Sequence, residues 1–158
     1  MKEAYLDNSA TTQTCPEAVE KIVELLTVRY GNPSSLHKKG IEAEKEIRLA
    51  RQIIADYLSC DTSEVYFTSG GTESNNLAIL GTVRALKRRG NRIVTTSIEH
   101  SSVIETFKEA EKLGFETVFI EPDRNGLVPE DKIYNAINSN TILVSTMLVN
   151  NEVGTVQN

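Results

Sequence analysis

The feature that most constrains this chain is the way its hydrophobic period keeps switching. From Arg92 onward, short runs rich in β-branched residues take turns with stretches of helical spacing. Arg92–Thr95, Thr117–Ile120 and Thr141–Met147 read as strands. Helices are predicted from about Ser102 to Lys112, with a stop at Gly114, and from Pro129 to about Ile137. Upstream, Val65–Thr68 reads as a fourth strand, followed by a loop over Ser69–Thr72 and a helix from about Glu73 to Arg88 that Gly90 ends. A strand, a helix and a second strand pair side by side only if the helix crosses over the sheet, so the expected fold class is α/β, a mainly parallel sheet with crossover helices.

Nearer the start, Thr14-Cys15-Pro16-Glu17 has the capping-box pattern with proline in the first turn. Val19, Ile22, Val23 and Leu26 then recur at helical spacing until Gly31. After Gly31-Asn32-Pro33, Ile41, Ile47, Ile54 and Leu58 mark one face of a long second helix. Glu42, Glu46 and Arg48 fall on the other, which reads as a solvated surface.

Composition narrows the function classes. Hydrophobic residues make up 39% and charged residues 25%, as in a folded globular protein, and 22 acidic against 17 basic residues give a net charge of −5. No basic field is present to recruit nucleic acid or an anionic membrane. Lys87-Arg88-Arg89 reads as a solvated helix end favoured by the helix dipole. The longest apolar runs, such as Ile142–Val144, are far shorter than the roughly 20 residues of a membrane helix. Met1-Lys2-Glu3 leads into no apolar signal segment, so a cytoplasmic protein is expected. Cys15 and Cys60 lie in no Cys-x-x-Cys or secreted-type framework and are expected to be reduced and structural.

In open parallel sheets ligands bind beyond the carboxyl ends of the strands, which directs attention to the loops after Thr68, Thr95 and Met147. The first, Thr68-Ser69-Gly70-Gly71-Thr72-Glu73-Ser74-Asn75-Asn76, leads into a helix N-terminus, where free N–H groups and the dipole favour an anion such as a phosphate. It matches neither nucleotide-binding glycine fingerprint, and a tight capped turn is the competing reading. The second, Thr96-Ser97-Ile98-Glu99-His100-Ser101-Ser102, carries one of only two histidines. Its imidazole is placed to stack on a flat ring or move a proton, or else to serve as a polar loop residue beside helix-capping serines. The third, Met147-Leu148-Val149-Asn150-Asn151-Glu152-Val153-Gly154, offers amides that suit a phenolate oxygen or ordinary turn chemistry. Together, at corresponding strand ends, the three loops converge on one crevice.

These residues also carry a family resemblance. Tyr5-Leu6-Asp7-Asn8-Ser9-Ala10-Thr11-Thr12, Gly31-Asn32-Pro33-Ser34-Ser35-Leu36-His37, Phe67-Thr68-Ser69-Gly70-Gly71-Thr72-Glu73, Glu99-His100 and Asn150-Asn151-Glu152-Val153-Gly154 resemble, in order, motifs of the NifS/IscS-type cysteine desulfurases. The resemblance implies a type I aminotransferase-like large domain over residues 14–158, preceded by a segment, residues 1–13, on the small-domain side. It implies pyridoxal 5'-phosphate as cofactor, L-cysteine as substrate, with alanine and a protein persulfide as products, a homodimer, and an iron-sulfur scaffold or other sulfur-acceptor protein as partner. By the same resemblance Gly71 and Thr72 hold the cofactor phosphate, His100 stacks on the pyridine ring and moves protons, and Asn151 bonds the phenolic oxygen.

The family's cofactor lysine, the aspartate opposite the pyridine nitrogen and the persulfide cysteine are expected beyond the equivalent of Asn158. This chain alone is therefore expected to be inactive. Ser35-Leu36-His37-Lys38 echoes the lysine motif, but its place after Gly-Asn-Pro assigns it to the early motif, and neither Cys15 nor Cys60 is expected to be the nucleophile. A selenocysteine lyase or other lyase of the same fold, and a non-catalytic phosphate-binding or assembly module, are the competing readings.

Overall fold

A computed structural model describes residues 3–157, so Met1 and Lys2 of the charged N-terminal tripeptide, and Asn158, lie outside the described residues. The chain divides into two compact units, Met1–Phe67 and Thr68–Asn158.

In the first unit, α1 spans Pro16–Thr27 and α2 spans Lys38–Leu58. Pro16 starts α1 because its fixed φ suits a first turn in which its missing N–H costs nothing. The expected capping box is not formed there: Cys15 is the N-cap, and no side chain bonds the helix end. A capping box appears instead at Asp61, whose Oδ1 accepts the Ser63 N–H at 2.8 Å while Glu64 Oε2 accepts the Asp61 N–H at 2.8 Å. It opens a single 3-10 turn over Thr62–Glu64.

The charged face of α2 is more than a solvated surface. Glu46, with its side chain only 15% exposed, accepts Lys21 Nζ at 3.1 Å and pairs with Arg29, tying the two helices together. The Lys21 ammonium is held above its ordinary range, chiefly by the hydrogen bond to Glu46. The apolar positions Ile41, Ile47, Ile54 and Leu58 remain between 36% and 62% exposed, and only Gly40 and Ala55 are buried on α2.

Val65–Thr68 does not form the expected strand. Val65 is extended, but a strand also needs a neighbouring chain, and the Val65 carbonyl accepts Arg51 Nε at 3.2 Å instead.

The second unit holds α3 (Gly71–Leu86), β1 (Arg92–Thr96), α4 (Ser101–Lys112), β2 (Glu116–Ile120), α5 (Glu130–Ala136) and β3 (Thr141–Ser145). The strands form a parallel sheet in the order β2-β1-β3, so β1 is central and is buried from Ile93 to Thr96. Alternation along the strands divides the core into two layers. Ile93 and Phe119 pack with Ile79 and Val83 of α3 and Val103, Phe107 and Ala110 of α4. Val94, Val118 and Ile120 pack on the opposite face with Val128 and with Ile133 and Ala136 of α5.

Two glycines fix the corners of this unit. Gly114 ends α4 with φ +93°, a left-handed conformation that suits a residue without Cβ. A Cβ on Gly90 would run into the backbone of Asn140, whose carbonyl accepts the Arg92 N–H at 3.0 Å and sets the entry to β1. Among the described residues no helix is long and apolar enough to cross a membrane.

Candidate functional site

Three polar segments of the second unit gather near the carboxyl ends of its strands. The turn into α3 is built by its own side chains. Thr68 Oγ1 lies 2.7 Å from Ser74 Oγ and bonds the Gly70 carbonyl at 3.1 Å, while Glu73 Oε2 accepts Ser69 N at 2.7 Å and Ser69 Oγ at 2.6 Å. These bonds, that from the Ser69 hydroxyl foremost, hold the Glu73 carboxyl below its ordinary range.

Because Glu73 folds back onto Ser69, it does not cap its own helix. The Ser74 N–H bonds the Gly70 carbonyl, and the N–H groups of Gly71, Thr72 and Glu73 take no partner among the described residues. A 16-residue helix thus presents its positive end beside two glycines. A Cβ on Gly70 or Gly71 would meet nothing within 4 Å, and Gly70 has the extended φ of 163° open to any residue. Neither glycine is demanded by the turn or by neighbouring packing, so the space beside them is free for a ligand's atoms.

The loop after β1 ends in His100, the N-cap of α4. Its Nδ1 accepts the Ser102 N–H at 3.1 Å and lies 2.8 Å from Ser102 Oγ, and Asn75 Nδ2 of α3 donates to that same hydroxyl at 2.8 Å. Gly71, Thr72, Asn75, His100 and Ser102 together line a depression of about 350 Å³. A larger depression of about 510 Å³ in the first unit, lined by Arg48, Arg51 and Tyr66 among others, contains none of the motif residues, so size does not select the site.

The loop after β3 is fastened to the loop after β1 by two residues. Glu99 Oε1 accepts Thr96 Oγ1 at 2.8 Å and the Met147 N–H at 2.6 Å. Burial pushes the Glu99 carboxyl above its ordinary range, against the lowering effect of those two hydrogen bonds. The buried Asn150 donates from Nδ2 to the Ile98 carbonyl at 3.0 Å, and its Oδ1 accepts the N–H groups of Glu152 and Val153 at 2.9 and 3.0 Å.

Among the residues singled out by the sequence, Gly71, Thr72 and His100 share one depression. Asn151 does not line it: its side chain is exposed and donates to Glu152 Oε1 at 3.1 Å. Lys38 opens α2 with its side chain 89% exposed and its Nζ 4.0 Å from Glu42, and Cys15 and Cys60 are both free thiols. Sequence reasoning missed the working parts of Glu99, Asn150, Asn75 and Ser102. For Glu99 and Asn150 the available signal was a carboxylate and an amide directly beside His100 and Asn151.

Comparison with known proteins places this geometry in a class. The profile of the aminotransferase class-V family matches residues 4–158, and the chain belongs to that family. Over 153 residues it is 48% identical to a NifS/IcsS protein homolog of Lactobacillus delbrueckii subsp. bulgaricus, covering 97% of this chain and 40% of that protein. Over 156 residues it is 46% identical to the cysteine desulfurase IscS of Methanosarcina thermophila, covering 99% of this chain and 39% of that protein.

Among solved structures, a NifS-like protein superimposes with a TM-score of 0.90 at 38% identity, over 96% of this chain and 42% of that one. SspA in complex with cysteine superimposes with a TM-score of 0.88 at 37% identity, over 97% and 44%. The expected aminotransferase-like fold is borne out, and the chain spans about 40% of the length of the curated relatives it matches. Membership of this family implies a pyridoxal-phosphate cofactor.

Proposed function

We propose that this chain supplies the phosphate-binding and ring-facing part of a pyridoxal-5'-phosphate site in a cysteine desulfurase, which converts L-cysteine to L-alanine and passes the sulfur to an enzyme cysteine. The observation that carries the reading is one depression lined by a helix N-terminus with free N–H groups, an open pair of glycines and an imidazole. That donor set fits a phosphate joined to an aromatic ring: Gly71 and Thr72 would hold the phosphate and His100 would stack on the ring. Asn151, in the loop that Asn150 anchors, would donate to the phenolic oxygen. Bound there, the cofactor supplies an electron sink for breaking bonds at the substrate's α and β carbons.

The chain's own residues have simpler tasks. The N–H groups at the start of α3 neutralise phosphate charge without a lysine or arginine, Glu99 and Asn150 keep the loops after β1 and β3 in register, and Asn75 ties α3 to α4. No lysine lines the depression, so this chain alone is expected to bind the cofactor loosely and not to turn over cysteine. In the same reading the enzyme is a cytoplasmic homodimer that hands sulfur to an iron-sulfur scaffold or other acceptor protein. The free state of Cys15 and Cys60 and the exposed apolar side chains of α1, such as Ile22 and Leu26, support it.

Equilibrium titration of the chain with pyridoxal 5'-phosphate, followed by backbone amide chemical shifts, tests the site. Saturable shifts at Gly71, Thr72 and His100 are expected, weakened about tenfold in Gly71→Ala, where the added methyl enters the space left for the ligand. Saturable binding without shifts at these residues, or affinity unchanged in the variant, would overturn the assignment.

A further inference from the structure

We propose that Asn75 and Ser102 are positioning residues that lock His100 as the neutral ring with its proton on Nε2. The inference builds on the site described above. It follows from counting protons in one short chain of hydrogen bonds. Nδ1 of His100 already accepts the Ser102 backbone N–H at 3.1 Å, so that nitrogen carries no proton. Asn75 Nδ2 donates to Ser102 Oγ at 2.8 Å, which makes the hydroxyl oxygen an acceptor on that side. The hydroxyl's single proton therefore goes to Nδ1, 2.8 Å away. Both donors aim at the same ring nitrogen, and the remaining ring proton has only Nε2 to occupy.

The setting protects this arrangement. Ser102 is only 8% exposed, so water competes poorly for its hydroxyl, and Asn75 is half-buried on α3. The two helices whose N-termini line the depression are thereby joined through the same hydroxyl. Nε2 takes no protein partner among the described residues and is the ring's only donor. His100 thus meets a ligand as an N–H donor at Nε2, and it acts as a base there only after the Asn75–Ser102 chain is broken or reversed.

The direction of the chain can be reversed by one substitution. In Asn75→Asp the carboxylate accepts the Ser102 hydroxyl proton, so Ser102 Oγ turns an acceptor toward Nδ1 and draws a proton onto it. Long-range proton–nitrogen correlation spectra of the whole chain, labelled with nitrogen-15 in histidine, read the tautomer directly. Only two histidines are present, and His37→Asn, which retains a capping side chain, assigns the second set of peaks.

The expected spectrum at neutral pH has a pyridine-like Nδ1 and a pyrrole-like Nε2 for His100, with roughly a tenfold or greater preference for that tautomer. Asn75→Asp should move Nδ1 toward a protonated shift, and Ser102→Ala should weaken the preference without inverting it. Asn76→Asp adds the same charge one position along α3, where the native side chain donates to the Thr72 carbonyl, and should leave the pattern unchanged. Circular dichroism and a urea unfolding transition matching the unaltered chain show that each variant is folded.

A protonated Nδ1 in the unaltered chain, or a pattern that Asn75→Asp does not move, would overturn the proposal. A shift of equal size in Asn76→Asp would also overturn it, because the effect would then be one of charge alone. The spectra are recorded without cofactor, so failure of the cofactor reading leaves this result standing, and the converse holds as well.

Discussion

Replacing Glu99 should separate the two things its carboxyl does. One oxygen, Oε1, accepts both the Thr96 hydroxyl and the Met147 N–H, and so joins the loop after β1 to the loop after β3. In Glu99→Ala both donors lose their acceptor. Thr96 is 2% exposed, so its hydroxyl is left buried and unpaired, a cost of about 1–3 kcal/mol, while the half-buried Met147 N–H recovers part of its bond from water. A loss of about 2–4 kcal/mol is expected in urea unfolding followed by circular dichroism. Glu99→Gln keeps an acceptor oxygen in the same place and carries no charge to desolvate, so it should lie within about 1 kcal/mol of the unaltered chain at pH 7. The pH dependence supplies the sign. Because burial raises the folded-state value, protonated Glu99 is favoured by folding. That contribution is fully present below the unfolded value of about 4.3 and is lost as pH rises through the raised folded value. The stability of the unaltered chain relative to Glu99→Gln should therefore increase as pH falls through that window. A relative stability that decreases on acidification would show that the hydrogen bonds outweigh burial and would refute the reasoning, as would a glutamine variant as unstable as the alanine one.

Other substitutions probe the same region. Thr95 is fully buried in β1 and its Oγ1 has no partner among the described residues, so Thr95→Val, which exchanges that hydroxyl for a methyl, should stabilise the chain by about 1 kcal/mol in thermal unfolding. A destabilised variant would mean that the hydroxyl has a partner after all. Asn150→Ala removes one donated and two accepted bonds and should cost about 2–4 kcal/mol, whereas Asn151→Ala, at an exposed side chain, should change unfolding by less than about 0.5 kcal/mol while weakening cofactor binding. Equal destabilisation by the two would contradict the division of labour between these neighbouring amides.

The elements most legible in the sequence are those whose signals are local. The periodicity and stop signals of α4, with Gly114 after it, fix that helix to within a residue, and the β-branched runs of β1 and β2 are found in the same way. Val65–Thr68 carries an equally good strand pattern but forms none, because pairing is a property of two chain segments and a single pattern reports only one. The capping box shows a similar limit. Thr14 and Glu17 have the right spacing, yet α1 begins at Pro16 with Cys15 as its cap, and the interaction itself appears at Asp61 and Glu64. Glu46 looked solvated from its place on a helical wheel, and only the approach of Lys21 and Arg29 from the neighbouring segment removes it from water.

The site divides along the same line, between the sequence-selected residues that line the depression and the residues that hold them in place. Glycines before a helix and a lone histidine draw attention by chemical type but leave ordinary turn and capping readings open, and it is the family resemblance that singles out Gly71, Thr72 and His100, which are found around one depression. Glu99, Asn75 and Ser102 lie one to four residues from them, Asn150 adjoins Asn151, and all four look no different from ordinary loop polarity. Their importance comes from contacts that span 27 to 52 residues of sequence: Asn75 to Ser102, Glu99 to Met147 and Asn150 to Ile98. The first of these bonds joins α3 to α4 and the other two join the loops after β1 and β3, and burial of Asn150 and Ser102 makes an unpaired polar atom there costly. A chain with Gly71, Thr72 and His100 but without these cross-loop bonds would keep the chemistry and lose the geometry that brings it to one place.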